Sequence, residues 1–166
     1  MDYAARYLLS IGDVPPVIFV LMIVLLAVSS FFSMSETVFS SVNIIRLKNF
    51  IEDGKKGSKK ALWITDNFDL TISTILVGNN LANIALATVS VSVFSDIFTN
   101  NPALINVMNT FVMTTIILIF GEIVPKSFAK NNAEKLALLI SGLLYWIIKL
   151  LKPVTWIFIK IKLITK

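Results

Sequence analysis

The sequence contains no cysteine and no histidine, and it has few charged residues. Without those two residue types the chain forms no disulfide, and it has neither a thiolate nor an imidazole to hold a metal ion. Charged residues make up 15% of the 166 residues and hydrophobic residues 56%, whereas a soluble domain carries about 25% charged residues. The composition therefore predicts a membrane protein in which any bound cation is held by oxygen atoms.

Three long runs of the sequence are almost free of charge. Run 14–45 has Glu36 as its one charged residue, and runs 70–95 and 97–121 have none. A helix needs about 20 apolar residues to cross a bilayer, so each run is long enough. The apolar run 136–148 reaches only about 20 Å as a helix, and we expect it not to cross.

The basic residues predict the orientation of these spans. Residues 46–60 hold six basic residues and residues 96–102 hold none, which places the first segment in the cytoplasm and the second outside. The N-terminus is then outside and the C-terminus cytoplasmic. We predict an all-α, multi-pass protein of the cell membrane with a three-span transmembrane domain over residues 1–130. Residues 131–166 are predicted to form juxtamembrane helices on the cytoplasmic lipid surface, divided by Pro153.

Two alternatives to this topology remain open. Run 136–148 is a short fourth span in one of them, which would carry the last lysines to the outside. In the other, residues 17–28 are the core of a signal peptide, with Ala27-Val28-Ser29 as a poor cleavage site.

Each predicted span carries polar residues at membrane depth. In the second span Asn79 and Asn83 are four residues apart and share one helix face, with Asn80 beside them. Unpaired amides in hydrocarbon are costly, and amide oxygens suit hard cations such as Mg²⁺. The alternative is that these amides only join helices by hydrogen bonds.

The first span carries a stripe of hydroxyl side chains about 100° wide, edged by Ser29 and Glu36. Serines in membrane helices often only pack closely or bond to their own backbone, and that alternative stays open. The stripe consists of Ser30, Ser33, Thr37, Ser40 and Ser41.

The third span ends in a segment with Gly121, Glu122 and Pro125. Because Pro125 has no N–H, the carbonyl group of Gly121 loses its helical partner next to the Glu122 carboxylate. Broken helices of this kind form ion sites in transporters, and an intramembrane carboxylate indicates function. Alternatively the helix simply ends here, with Glu122 solvated and Pro125 as a stop signal.

Together these features predict an oxygen-only cage for a hard cation, contributed by three spans. The charge of the cage would come mainly from Glu122, with Glu36 as a further contributor. A low charge count suits a site that must release its ion.

Three motifs resemble the transmembrane domain of the CorC/CNNM (cyclin M) magnesium transporter family, and Ser35-Glu36-Thr37 is similar to its prokaryotic branch. They are Phe32-Ser33, Gly78-Asn79 with Asn83, and residues 120–126. The resemblance implies a homodimer with an intramembrane Mg²⁺ site and Mg²⁺ export coupled to Na⁺. It implies as metal ligands Ser33, Asn79, Asn83, Gly121 through its carbonyl group, and Glu122.

The resemblance also implies limits. Full-length relatives carry a paired CBS nucleotide-binding module after the membrane domain, and this sequence ends at Lys166, so nucleotide binding is not assigned to it. We expect a carrier rather than an enzyme, with the lipid bilayer and a second copy as partners and no nucleic acid. The alternative function is a membrane anchor and dimerisation module for a cytoplasmic regulatory domain. A membrane-lytic protein is the third alternative. It would have to let large solutes leak through the membrane, which does not suit so small a helix bundle.

Overall fold

The computed structural model describes residues 14–98 and 101–164, and this part of the chain is helical with short connections and no strand. The helices are α1 (Pro16–Ser41), α2 (Ile44–Glu52), α3 (Ser58–Asp66), α4 (Phe68–Ile97), α5 (Pro102–Ile116), α6 (Val124–Asn131) and α7 (Ala133–Ile164). A π-helical segment, Ile117–Ile123, joins α5 to α6 without a break.

Local chemistry accounts for where several helices begin. α1 and α5 each have proline in the first turn, where its missing N–H has no helical partner to lose. The side chain of Asn101 accepts a hydrogen bond from the Leu104 N–H. Asn43 caps α2 in the same way, accepting from the backbone of Ile45 and Arg46.

Four helical stretches of the described chain are long and apolar enough to cross a membrane: Pro16–Ser41, Phe68–Ile97, Pro102–Asn131 and Ala133–Pro153. The predicted fold class, an all-α membrane protein, is confirmed. The fourth stretch was predicted to be too short, but run 136–148 lies within a longer helix. Its length therefore no longer excludes a crossing, and the three-span topology stays a prediction.

The prediction that Pro153 divides the last segment into two helices is wrong. Pro153 lies inside α7, which continues to Ile164. Proline removes one backbone hydrogen bond, that of the Lys149 carbonyl, but its φ is helical, so a helix can continue through it. The nearby Thr155 hydroxyl bonds to other carbonyl oxygens, those of Leu151 at 3.1 Å and Lys152 at 3.2 Å.

α7 is tied to the basic segment formed by α2 and α3. The Ser141 hydroxyl donates a hydrogen bond to the Gly57 carbonyl oxygen at 3.0 Å, and the rings of Trp63 and Tyr145 meet edge to face at 4.9 Å. One buried cluster joins this layer to the ends of α1 and α4, and it includes Phe39, Leu47, Ile64, Ile75, Leu144 and Ile148. The first half of α7 therefore packs at the end of the bundle where the basic residues lie.

Candidate metal centre

A glycine brings α1 and α4 together beside the predicted site. A Cβ atom at Gly78 would overlap the Phe32 ring, so only glycine lets the ring pack against α4 here. Both residues are buried. This contact fixes the rotation of α4 and places Asn79 and Asn83 beside α1.

The two amides meet at a serine of α1. The hydroxyl oxygen of Ser29 lies 3.0 Å from Oδ1 of Asn79 and 2.6 Å from Oδ1 of Asn83. One hydroxyl hydrogen can serve only one of the two amide oxygens at a time. Three oxygen atoms thus share a single hydrogen, and a bound cation would satisfy all three. Without a cation, rotation of one amide would let its N–H group donate to Ser29 instead.

Gly121 brings the third span close to Ser29 as well. It is buried, and a Cβ atom there would lie 3.0 Å from the Ser29 hydroxyl oxygen. A side chain at this position would therefore crowd the hydroxyl that joins the amides. The structure brings three predicted ligand positions, Asn79, Asn83 and Gly121, to one side chain.

The π-helical segment changes which carbonyl groups Pro125 leaves free. In an α-helix the N–H group of residue 125 would donate to the Gly121 carbonyl, four residues earlier. In a π-helix it would donate to the Phe120 carbonyl, five residues earlier, and Pro125 lacks this N–H group. The Ser30 hydroxyl donates to the Phe120 carbonyl oxygen at 2.7 Å. Phe120 is thereby compensated from α1, whereas Pro125 leaves the Gly121 carbonyl without a helical partner only in α register, because in π register that partner is the Lys126 N–H.

Ser33, a further predicted ligand, is fully buried one helical turn after Ser29. Its hydroxyl oxygen is the one buried side-chain oxygen or nitrogen of the described residues that has no hydrogen-bond partner. An unsatisfied buried hydroxyl costs about 1–3 kcal/mol. A cation or a water molecule bound next to it would offset that cost.

Of the two acidic residues Glu36 on α1 and Glu122 in the π-helical segment, only one is in an ion pair. Nζ of Lys126 lies 3.0 Å from a carboxylate oxygen of Glu36, so the charge of Glu36 is already balanced. Glu122 is half-buried one turn before Lys126, and no basic group of the described chain lies within 4.0 Å of it. Glu122 therefore has no ion-pair partner among the described residues, and it follows Gly121 directly in the chain.

Sequence reasoning placed Ser29 only at the edge of the hydroxyl stripe and missed its central position. The available signal was the spacing of Ser29, Ser33 and Glu36, which repeats at four and three residues and marks a single helix face. It also missed the Glu36–Lys126 ion pair, because nothing in the sequence relates those two positions.

The all-helical fold with several helices long and apolar enough to cross a bilayer defines a multi-pass membrane protein. The family described as the cyclin M transmembrane N-terminal domain (CNNM) matches residues 20–165. The chain belongs to the cyclin M family, as its motifs predicted.

Curated relatives agree with this assignment. The chain is 34% identical over 140 residues to a UPF0053 protein of Haemophilus influenzae, covering 84% of the chain and 33% of that protein. It is 32% identical over 130 residues to the UPF0053 inner membrane protein YfjD of Escherichia coli, covering 78% and 30%. A chloroplastic DUF21 domain-containing protein of Arabidopsis thaliana is 32% identical over 133 residues, covering 79% and 19%. The chain thus spans about a third or less of the length of these relatives.

Proposed function

We propose that the protein carries Mg²⁺ across the cell membrane, in the outward direction and coupled to Na⁺. The observation that supports this most is the convergence of Ser29, Asn79 and Asn83, whose three oxygens share one hydrogen. The ligands proposed for the ion are Ser33, Asn79, Asn83, the Gly121 carbonyl and Glu122, and we add Ser29. The protein is a carrier and catalyses no covalent step.

The chemistry of the ligands favours Mg²⁺ over softer metals. Hydroxyl, amide, carbonyl and carboxylate oxygens are hard ligands, whereas Zn²⁺ and Cu²⁺ bind best where sulfur or imidazole is present. Mg²⁺ gives up its water reluctantly, so a transport site must supply several oxygens close together. Neutral oxygens with one carboxylate keep the affinity moderate, which lets the ion leave on the other side.

The proposed carrier is a homodimer, and α4 gives a physical reason. Asn80 is exposed in the middle of α4, next to Leu81, which is 65% exposed, and close to Ile84, at 66%. An amide facing hydrocarbon is costly unless another helix bonds to it. A second copy packed on this face would remove that cost. Asn80→Leu should therefore reduce the dimer fraction measured by light scattering in detergent.

The transport proposal is tested in liposomes loaded with Mg²⁺ and an indicator dye, with Na⁺ imposed on the opposite side. We expect Mg²⁺ efflux that depends on the Na⁺ gradient. Efflux should fall strongly in Ser29→Ala and Asn83→Ala. Thr115→Ala is the control, because Thr115 is exposed on α5 and its hydroxyl bonds to the Phe111 carbonyl at 2.8 Å.

Two results would overturn the proposal. Wild-type efflux no faster than in protein-free liposomes would favour the anchor and dimerisation module. Equal efflux in Asn83→Ala and Thr115→Ala would mean that the oxygen cluster only holds the helices together.

A further inference from the structure

A second polar site lies away from the metal centre, in a cavity of about 900 Å³ between the α2–α3 connection and α7. Five of its lining residues are lysines, and no acidic residue of the described chain lines it. We call it the lysine cavity. The lysines are Lys55, Lys56, Lys59, Lys60 and Lys135.

The walls of the lysine cavity are held by backbone contacts. Gly54 and Gly57 have φ of 68° and 87°, which is left-handed backbone that favours glycine. Gly57 lies against the backbone of Leu138 so closely that a Cβ atom would overlap the carbonyl oxygen. The Ser141 hydroxyl bonds to the Gly57 carbonyl oxygen from the same helix. The connection and α7 therefore form one rigid unit.

Most of the positive charge in the lysine cavity is not neutralised by the protein. Lys55 lies 3.4 Å from Asp53 and Lys60 lies over the ring of Tyr145. Lys56, Lys59 and Lys135 are exposed and have no acidic group of the described residues within 4.0 Å. The first turn of α3 also lines the cavity without a side-chain cap, and its positive end adds to the attraction for an anion.

An apolar surface continues from the lysine cavity along α7. Leu139 lines the cavity, and Leu143, Trp146 and Leu150 follow it on the same helix face. The four side chains are exposed by 77%, 59%, 64% and 77%, in that order. We call them the apolar stripe. A cation-lined cavity that opens onto an apolar stripe matches a molecule with an anionic head and a hydrocarbon tail.

We propose that the lysine cavity binds the headgroup of one anionic phospholipid, whose acyl chains lie along the apolar stripe. Ammonium groups donate charge-assisted hydrogen bonds to phosphate oxygens, and basic pockets beside membrane helices hold anionic headgroups. A free phosphate compound would use the same lysines but would gain nothing from the apolar stripe. The site is independent of the metal centre and of the transport proposal.

Native mass spectrometry of the detergent-purified chain tests this proposal by counting bound molecules. The ligands are phosphatidylglycerol, phosphatidylcholine with the same acyl chains, and glycerol 3-phosphate. We expect phosphatidylglycerol to bind at least about tenfold more tightly than phosphatidylcholine, because each lysine close to an anionic headgroup adds electrostatic attraction to the binding. Binding should fall at least about tenfold in the double variant Lys59→Gln with Lys135→Gln.

The matched control is Lys48→Gln with Lys130→Gln, which removes the same charge from two exposed lysines outside the cavity. This control should bind phosphatidylglycerol as the wild type does. An equal loss in both double variants would refute a defined site, because only the overall charge would then matter. Glycerol 3-phosphate bound as tightly as phosphatidylglycerol would refute the lipid and identify a site for free phosphate compounds. If the cavity variant fails to fold, the wild-type comparison of the two lipids still decides: equal binding refutes the proposal.

Discussion

At the residue scale, Glu122 is the side chain on which the proposed metal affinity depends most. Its charge is unpaired because Lys126 is engaged with Glu36 at 3.0 Å. Glu122→Gln keeps the shape and one oxygen ligand but removes the charge. We expect Mg²⁺ binding, measured by isothermal titration calorimetry, to weaken at least tenfold, or about 1.4 kcal/mol.

Glu52→Gln is the control for this change, since Glu52 is exposed at the end of α2. Its Mg²⁺ affinity should equal that of the wild type. A Glu122→Gln protein with wild-type affinity would contradict the proposed centre.

Gly78 is a second residue whose substitution has a defined outcome. Gly78→Ala would place a methyl group inside the Phe32 ring and push α1 away from α4. Overpacking of this kind costs about 1–3 kcal/mol, so the melting temperature should fall. Gly142→Ala is the matched control, because nothing lies within 4 Å of the added carbon and alanine is favoured in helices by about 0.5–1 kcal/mol. Equal melting temperatures for the two variants would refute the close approach.

The side chains of the metal centre were predictable in part from the sequence. Asn79 and Asn83 could be paired because their spacing fixes a shared face whatever the helix packs against. The choice of Ser29 over the other hydroxyls could not be made, because periodicity leaves the rotation of α1 undefined. That rotation is set by Phe32 against Gly78, a contact between residues far apart in the chain.

At the scale of elements, the π-helical segment decides how the third span presents Gly121 and Glu122. Pro125→Ala restores an N–H group that can bond to the Phe120 or Gly121 carbonyl. We expect a higher melting temperature and a weaker Mg²⁺ affinity, since a carbonyl group engaged in the helix is a poorer ligand. A higher melting temperature with unchanged affinity, measured by calorimetry on the same sample, would mean that the freed carbonyl is not a ligand.

The helices themselves were largely predictable, and the exceptions have physical causes. Uncharged runs fixed α1, α4 and the α5–α6 span because the bilayer requires continuous apolar helix. The π-helical segment was not predicted, because a short change of backbone hydrogen bonding from i, i+4 to i, i+5 does not visibly alter the spacing of the hydrophobic residues. α7 was predicted to be interrupted at Pro153, but proline has a helical φ and removes a single backbone hydrogen bond, so the helix continues through it.

At the scale of the whole molecule, the number of times the chain crosses the membrane is the part of the predicted topology that remains to be tested. The chain has no cysteine, so single cysteines at Lys56, Asn101 and Lys152 can be labelled without background. Three spans predict that an impermeant maleimide labels the first and third from the cytoplasmic side and the second from outside. Labelling at Lys152 from outside would show that α7 crosses the membrane.

The ion pair between Glu36 and Lys126 determines how the membrane voltage acts on the proposed carrier. With that pair neutral, the empty centre carries the single negative charge of Glu122, and Mg²⁺ turns it into a single positive charge. The outward movement of the loaded site through the field then transfers one elementary charge, worth about 2.3 kcal/mol per 100 mV. In Glu122→Gln the loaded site carries two positive charges, and the same movement transfers twice as much charge. In liposomes clamped with valinomycin, an inside-negative potential should therefore slow Mg²⁺ efflux more steeply in Glu122→Gln than in the wild type.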